Sequence, residues 1–134
     1  MVLLGTRFAV SDNSGAKSAI CIKIQDSCSR GTSKGKQPHI GSTVLVSIKQ
    51  VKKKDRGSAG SASLNKGSLH LGVLVEMKKQ ERRKDGSSFA CSRNSIVLLT
   101  EAKQPLGTRI LGLVPYEVRQ NGLLKLLSLA TYIL

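Results

Sequence analysis

Tryptophan is absent from this chain, and other aromatic residues are few. Two phenylalanines and two tyrosines stand among 134 residues, of which 40% are apolar. A core must therefore be built from valine, isoleucine and leucine, and the length suits a single domain over residues 1–134. The scarcity of aromatics also argues against modules that bind single-stranded nucleic acid by stacking bases on rings.

Cysteine and histidine are too few and too scattered for a metal site. Cys21, Cys28 and Cys91 show no C-x-x-C spacing, and His39 and His70 lie in no cluster of ligand residues. An odd number of cysteines without a secretion signal indicates reduced thiols in an intracellular compartment. We expect small, buried or half-buried thiols, no metal and no cofactor.

Sequence motifs of catalysis are missing as well. The chain has no G-x-S-x-G elbow, no phosphate-binding P-loop and no H-E-x-x-H segment. Its carboxylates are scattered and mostly lie beside lysine or arginine, as solvated surface charges do. The sequence therefore predicts that the protein is not an enzyme.

Negative charge is also scarce. Eight acidic residues stand against 22 lysines and arginines, which gives a formal net charge of +14. Such a chain repels itself unless a polyanion neutralises it. Nucleic acid is the preferred candidate, because each neutralised phosphate releases a condensed counterion. An anionic membrane is the alternative, but no apolar run approaches the roughly 20 residues of a spanning helix, and we expect no membrane partner.

Alternating apolar residues predict β-strands in the first three quarters of the chain. One pattern places Ile20, Ile22 and Ile24 on one side of a strand, with Cys21 and Lys23 on the other. Two later segments repeat it, the first at Val44, Val46 and Ile48, the second at Leu69, Leu71, Val73, Val75 and Met77. Residues 96–99 are apolar on both faces, which indicates a more enclosed strand.

Basic, turn-rich segments connect these strands. Residues 27–37 carry Arg30, Lys34 and Lys36 among glycine and serine, and residues 52–66 form a second such loop. Residues 78–86 are the most charged and end in Asp85-Gly86, which predicts a β-hairpin. If a barrel brings the three segments to neighbouring positions, they form one continuous phosphate-binding surface.

Helical spacing follows near the C-terminus, at about residues 115–130. Pro115 suits the first turn of a short helix, and Gly122 interrupts it. A second helix is predicted by Leu123, Leu126, Leu127 and Ala130. The short strands and tight turns upstream favour a small closed barrel of antiparallel strands, because closure removes exposed sheet edges.

Six collinear segments carry the motifs of one protein family, at residues 10–17, 66–79, 82–86, 105–112, 117–119 and 125–130. Together they resemble the universal large-subunit ribosomal protein fourteen family. Residues 10–17 resemble its V-A-D-N-S-G-A-K/R loop, and residues 82–86 match its R-R-x-D-G hairpin. Residues 66–79 are similar to its K-K-G-x-V-x-x-A-V-I-V-R-T-K-K strand, and residues 105–112 to its P-x-G-T-R-I/V-x-G-P-V segment. Its E-L-R helix and K-I-V-S-L-A terminus have counterparts at residues 117–119 and 125–130. No single match is specific, whereas the ordered set spans nearly the whole chain.

This resemblance implies a mainly β fold: a small closed five-stranded antiparallel β-barrel with a basic hairpin and short C-terminal helices. It implies a place in the large ribosomal subunit, bound to large-subunit rRNA on the face toward the small subunit. The implied partners also include neighbouring large-subunit ribosomal proteins, small-subunit rRNA through an intersubunit bridge, and a ribosome-silencing factor that docks on the same face.

The predicted contacts with RNA or neighbouring proteins come from two sources. Carried over from the family motifs are Asn13, Ser14, Lys17, Arg82, Arg83, Thr108, Arg109 and Arg119. The basic segments add Arg30, Lys34, Lys36, Lys52, Lys53, Lys54, Arg56, Lys78, Lys79 and Lys84. Two alternatives stay open. Arg109 can instead brace the barrel through backbone carbonyls, and Asn13 and Gly15 can serve turn geometry, since both tolerate a positive φ.

The chain also departs from the family pattern. Residues 52–65 are rich in serine and glycine where the family usually has a compact, proline-containing connection. Ser92-Arg93 replace two acidic residues, and residues 131–134 replace P-E-V-L. Contacts of the silencing factor that depend on those residues are therefore not carried over. Divergence of this kind favours a mitochondrial ribosome, with a plastid or cytoplasmic ribosome as alternatives.

Three functions remain in play. A structural protein of the large subunit, which also supports subunit bridging and translation, is the leading hypothesis. The second is a free nucleic-acid-binding barrel that acts outside the ribosome, which the scarcity of aromatics disfavours. The third is a docking platform whose main partner is a ribosome-associated protein. Charge reversal at Arg82 and Arg83 separates RNA contact from docking.

Overall fold

The computed structural model describes residues 2–25, 38–52 and 64–134. Nine strands occur within these ranges: β1 (Arg7–Val10), β2 (Ala16–Ile24), β3 (Thr43–Val51), β4 (Leu69–Glu76), β5 (Glu81–Arg82), β6 (Ser88–Phe89), β7 (Ser95–Leu99), β8 (Ile110–Val114) and β9 (Ala130–Ile133). A 3-10 helix (Tyr116–Asn121) and a single α-helix, α1 (Leu124–Leu129), lie between β8 and β9.

Five of the strands form a closed barrel in the order β1-β2-β3-β4-β7. The predicted mainly β, closed, five-stranded barrel is therefore confirmed. The expectation that all its strands are antiparallel is wrong for one pair: β1 and β7 are parallel, with Ala9 opposite Ser95 and Val10 opposite Ile96. The reason is geometric, because an odd number of strands cannot alternate in direction all the way around a closed ring.

The inner face of the barrel is filled mainly by aliphatic side chains. Val44, Val46 and Ile48 of β3 are fully buried, as their alternation predicts, and every residue of β7 is buried. On β2 the prediction of which side chains face the core is wrong. Ala19 and Cys21 point into the core, whereas Ile22 is 44% exposed. Register shifts between β2 and β3 alter the alternation, and small residues occupy the interior positions.

The outer face of β4 is covered by β8, where the Leu113 N–H donates to Glu76 Oε1 at 3.2 Å. The predicted half-buried alternation is therefore wrong for β4: Leu69, which was expected on the core face, is 59% exposed, and residues 72–77 are buried throughout. β8 also pairs in parallel with β9, which places a small second sheet against the barrel.

The C-terminal segment is helical only in part. The 3-10 helix ends at Gly122, whose φ of 76° lies in the left-handed region, and α1 buries Leu126. The expectation of short helices reaching residue 130 is corrected in two respects: the first is a 3-10 helix, and Ala130 begins a strand because its backbone pairs with Ile110. None of the helices in the described ranges is both long and apolar enough to cross a membrane.

The directions of the strands decide at which of the two ends of the barrel each connecting loop lies. We define the loop end by residues 11–17, 49–52, 64–68 and 100–109, and the hairpin end by residues 38–42 and 77–94. β4 joins the two ends, and its eight residues span about 23 Å. The loop that follows β3 thus starts at one end, while the basic hairpin that follows β4 lies at the other. Residues 27–37 and most of residues 52–66 lie outside the described residues, so the single continuous basic surface expected from sequence stays a prediction.

Substitutions on β2 test which of its side chains face the core. We expect Ala19→Leu to lower the free energy of unfolding by about 1–3 kcal/mol, because a larger side chain overpacks the interior. Ile22→Thr on the outer side should change it by about 0.5 kcal/mol or less. Urea denaturation of both variants provides the measurement, and a larger loss for Ile22→Thr would contradict the placement.

Candidate nucleic-acid interface

The basic hairpin is built on the Asp85-Gly86 turn between β5 and β6. Asp85 Oδ1 accepts hydrogen bonds from the Ser87 hydroxyl at 2.7 Å and the Ser87 N–H at 2.9 Å, which lower the pKa of Asp85. The Arg83 N–H donates to the Ser87 carbonyl at 2.8 Å, and Gly86 has a φ of 87°. The turn is thus closed by its own polar groups, and the lysines and arginines around it are not needed for that purpose.

Arg83 holds this hairpin against the C-terminal segment. Its Nε donates to Glu117 Oε1 at 2.6 Å, and its terminal nitrogen donates to Glu117 Oε2 at 3.3 Å and to the Leu134 carbonyl at 3.1 Å. The guanidinium also lies 4.6 Å from the centre of the Phe89 ring. These contacts make Arg83 a positioning residue.

Arg82 and Lys84, on either side of Arg83, are exposed. Alternation along the chain places the side chain of Arg82, the last residue of β5, opposite the anchored side chain of Arg83, and Lys84 lies in the turn. Lys78 is also exposed, whereas Lys79 is half-buried. The hairpin therefore presents Lys78, Arg82 and Lys84 as accessible cations for a phosphate group.

A second ion pair holds the base of the hairpin. Arg93 Nε donates to Glu76 Oε2 at 2.8 Å, and the Glu76 side chain is 8% exposed against 53% for Arg93. Burial raises the pKa of Glu76, but hydrogen bonds from Arg93 and from the Leu113 N–H contribute to a lower net pKa. The Cys91 N–H donates to the Met77 carbonyl at 2.8 Å beside this pair. Glu76 thus links the hairpin base, β4 and β8.

Arg93 is one departure from the family pattern, and its ion pair with Glu76 at 2.8 Å gives it a structural role in this chain. Arg93 stands where that pattern has an acidic residue, and Glu76 stands at the position of its arginine in V-I-V-R-T-K-K.

Asp12 organises the loop end of the barrel. Its buried carboxylate accepts hydrogen bonds from the Leu98 N–H at 2.8 Å, from the Ser14 N–H at 2.9 Å and from the Ser14 hydroxyl. Gly15 follows with a φ of 97°. Ser14 is itself buried, so its hydroxyl is directed toward Asp12 and away from solvent.

Asn13 joins this loop to residues 107–109. Its Oδ1 accepts the Thr108 N–H at 2.7 Å and the Arg109 N–H at 3.1 Å, and its Nδ2 donates to Thr108 Oγ1 at 2.8 Å. A Cβ on Gly107 would lie 2.7 Å from Asn13 Oδ1, so the close approach requires glycine. Asn13 has no positive φ, and its side chain, not its backbone conformation, sets the geometry.

The remaining predicted contact residues are placed as follows. Lys17, Lys52 and Arg109 are exposed at the loop end, and none of the described hydrogen bonds or ion pairs involves the Arg109 guanidinium. Arg119 lies at the C-terminal segment, where its NH1 donates to the Tyr116 hydroxyl at 2.9 Å. Outside the described residues lie Cys28, Arg30, Lys34, Lys36, Lys53, Lys54 and Arg56.

Sequence reasoning missed the partners that fix the hairpin, Glu76, Arg93 and Glu117. Arg93 was visible as a departure from the family pattern, but its partner is 17 residues away in the chain. Exposed Lys49 and Lys66 at the loop end were also missed, because alternation marks which residues face outward but not which end of the barrel they share.

A groove of about 960 Å³ lies between the hairpin, residues 39–42 and the 3-10 helix. His39 Nδ1 lies 3.3 Å from Glu81 Oε1 at one side, and the Arg83–Glu117 pair lies at the other. Exposed Tyr116 contributes an aromatic ring. Within the described part of the chain, no three metal-binding side chains are close enough to hold an ion.

Comparison with known proteins identifies the family. The sequence profile of the family described as ribosomal protein L14p/L23e matches residues 1–134. The chain belongs to this family. It is similar to a protein of Dictyostelium discoideum named large ribosomal subunit protein uL14m, at 36% identity over 138 residues and with 100% of each chain covered. The predicted family is therefore confirmed, and so is the prediction of a non-enzymatic protein, since family members are structural ribosomal proteins.

Removing Arg93 should destabilise the fold. We expect Arg93→Ala to lower the free energy of unfolding by about 2 kcal/mol, because it leaves the buried Glu76 carboxylate without its charged donor. Arg109→Ala, which removes an exposed arginine, serves as the control and should change it by about 0.5 kcal/mol or less. Equal effects in urea denaturation would show that the pair does not stabilise the hairpin base.

Acid should weaken the same contact. The pKa of Glu76 is lower in the folded than in the unfolded chain, so its contribution is complete above its ordinary value of 4.5 and is lost as pH falls through the folded value. Glu76→Gln should therefore show a smaller loss of stability than the wild type below about pH 4.5. Parallel pH profiles for the two proteins would contradict this assignment.

Proposed function

We propose that the protein is a structural constituent of the large ribosomal subunit that binds large-subunit rRNA near the intersubunit face. The observation that carries the proposal is the full-length match to a ribosomal family in a chain of net charge +14. Lys78, Arg82 and Lys84 are the proposed phosphate contacts on the hairpin, and Arg83 positions them through Glu117 and Leu134.

Recognition should depend on RNA shape and backbone and not on base sequence. The chain has four aromatic residues, and Phe8 is buried, so little ring surface is available for stacking bases. Lysine and arginine at the end of a rigid hairpin neutralise the phosphates that the RNA fold places beside them, whatever the base sequence. The protein then stabilises a folded rRNA and supports subunit bridging and translation without a catalytic step.

We further propose that residues 1–134 act as one domain in a mitochondrial ribosome. Support for the compartment comes from the relative in Dictyostelium discoideum, which is named large ribosomal subunit protein uL14m. Proposed partners are large-subunit rRNA, neighbouring large-subunit proteins and small-subunit rRNA across an intersubunit bridge. At the loop end, the residues proposed to contact these partners or a silencing factor are Lys17, Thr108 and Arg109. Asn13 holds Thr108 and Arg109 in place by accepting their backbone N–H groups.

A second candidate function is docking of a ribosome-associated protein in the groove beside the hairpin. The groove favours a protein over RNA because its lining combines Glu81, Asp85 and Glu117 with arginine and lysine. Carboxylates repel phosphates, whereas a protein surface can offer charges of both signs.

Charge reversal tests the leading proposal. A tagged Arg82→Glu/Lys84→Glu variant, expressed in cells of the source organism, should be depleted from large subunits on gradients. The unmodified protein and Lys125→Glu on exposed helix α1 should be retained. Folding of each variant is checked by its thermal midpoint. Retention of the double variant with loss of a protein partner would favour docking, and absence of the unmodified protein from large subunits would favour a free nucleic-acid-binding protein.

A further inference from the structure

Exposed lysines from four segments converge at the loop end. The Lys52 N–H donates to the Gly15 carbonyl at 2.8 Å, which brings the end of β3 beside the start of β2 and Lys17. The Gly67 N–H donates to the Ile48 carbonyl at 2.7 Å, which sets the turn with Lys66 against Lys49. β4 and β7 pair at Leu71 and Leu99, so residues 100–104, with Lys103, lie at the same end.

Little negative charge opposes these lysines. Among the described residues of the loop end, Glu101 is the exposed carboxylate, while Asp12 is buried and engaged by Leu98 and Ser14. The described ion pairs, His39–Glu81, Arg83–Glu117 and Arg93–Glu76, all belong to the hairpin end. The two ends therefore differ in kind: cations at the hairpin end are partly paired, and those at the loop end are not.

Lys103 supplies an independent observation. It is the non-glycine residue with a positive φ, 56°, among the described residues. The Lys103 N–H donates to the Thr100 carbonyl at 3.0 Å, and the Thr100 N–H donates to the Gln104 carbonyl at 2.8 Å, which closes a tight turn. Glycine or asparagine takes this conformation at lower cost than lysine. A lysine held there against its backbone preference indicates a use for its side chain.

We propose that Lys17, Lys49, Lys52, Lys66 and Lys103 form a second phosphate-binding surface, which holds the backbone of an RNA duplex at the end opposite the hairpin. The inference rests on the proposed function only in taking RNA as the partner. Lysine is a flexible point charge that suits phosphates better than base edges. The aromatic residues lie elsewhere, with Phe8 in the core, Phe89 and Tyr116 at the hairpin groove and Tyr132 on β9, so stacking of single-stranded bases is not available here.

Matched pairs of substitutions test this surface. The full-length protein is titrated with a fluorescent RNA duplex of mixed sequence, and with one of its single strands, over a range of salt concentrations. Lys49→Gln/Lys66→Gln should weaken duplex binding and reduce the slope of log affinity against log salt by about two. Lys23→Gln/Lys125→Gln removes the same charge from exposed positions away from the loop end and should change the slope by less than about one.

The outcomes separate this inference from the proposed function. Equal losses for the two pairs would mean that binding follows net charge, and stronger binding of the single strand would exclude a duplex surface. Either result overturns the inference and leaves incorporation into large subunits to be judged by the gradient experiment. Duplex binding that is lost only in the loop-end pair supports it, even if the protein is absent from ribosomes.

Lys103 is tested by two further variants. Lys103→Gly should raise the thermal midpoint, because glycine adopts the left-handed conformation freely, and should weaken duplex binding. Lys103→Asn should weaken binding to the same extent, because it also tolerates this conformation but lacks the charge. Unchanged binding by both variants would remove Lys103 from the surface, and a lower midpoint for Lys103→Gly would contradict the conformational argument.

Discussion

A closed ring of five strands cannot be antiparallel at every neighbour, and this constraint shapes both ends of the molecule. The parallel pair is β1 with β7, so the segments that follow these two strands leave the barrel at the same end. Asp12 follows β1 and accepts the Leu98 N–H of β7 across that pair, and Asn13 then binds Thr108 and Arg109. The loop end is therefore a direct product of how the barrel closes. Its contacts depend on the buried Asp12 carboxylate and the exposed Asn13 amide, which leaves the surrounding lysines free for a partner.

The hairpin end is held in a different way. Two arginine–carboxylate pairs fix it, with Glu76–Arg93 at the base and Arg83–Glu117 near the tip. Because Arg83 is anchored inward, the hairpin backbone is held in place, and the side chains of Arg82 and Lys84 beside it are exposed to solvent. A backbone that is already fixed reduces the conformational entropy lost on binding a rigid RNA.

Much of this fold could be predicted from local patterns, and the exceptions have physical causes. β3 and β7 follow from their apolar spacing, and the hairpin follows from Asp85-Gly86. The phase of β2 could not be predicted, since register shifts let Ala19 and Cys21 face inward in place of isoleucines. The parallel pair could have been deduced by counting strands. β9 was missed because its partner β8 lies 20 residues earlier, where Ala130 meets Ile110.

The candidate site was predictable in composition but not in arrangement. The sequence identifies a basic hairpin and a D-N-S-G loop, yet long-range pairing decides which members face a partner: Arg83 and Ser14 are engaged internally, whereas Lys49 and Lys66 are exposed at one end. The most direct test is RNA–protein cross-linking in purified large subunits, with the cross-linked peptides and nucleotides both identified by mass spectrometry. We expect cross-links from Lys49 or Lys66 and from Arg82 or Lys84, each to a different segment of rRNA. Cross-links confined to one end, or to a single rRNA segment, would contradict a barrel that contacts RNA at both ends.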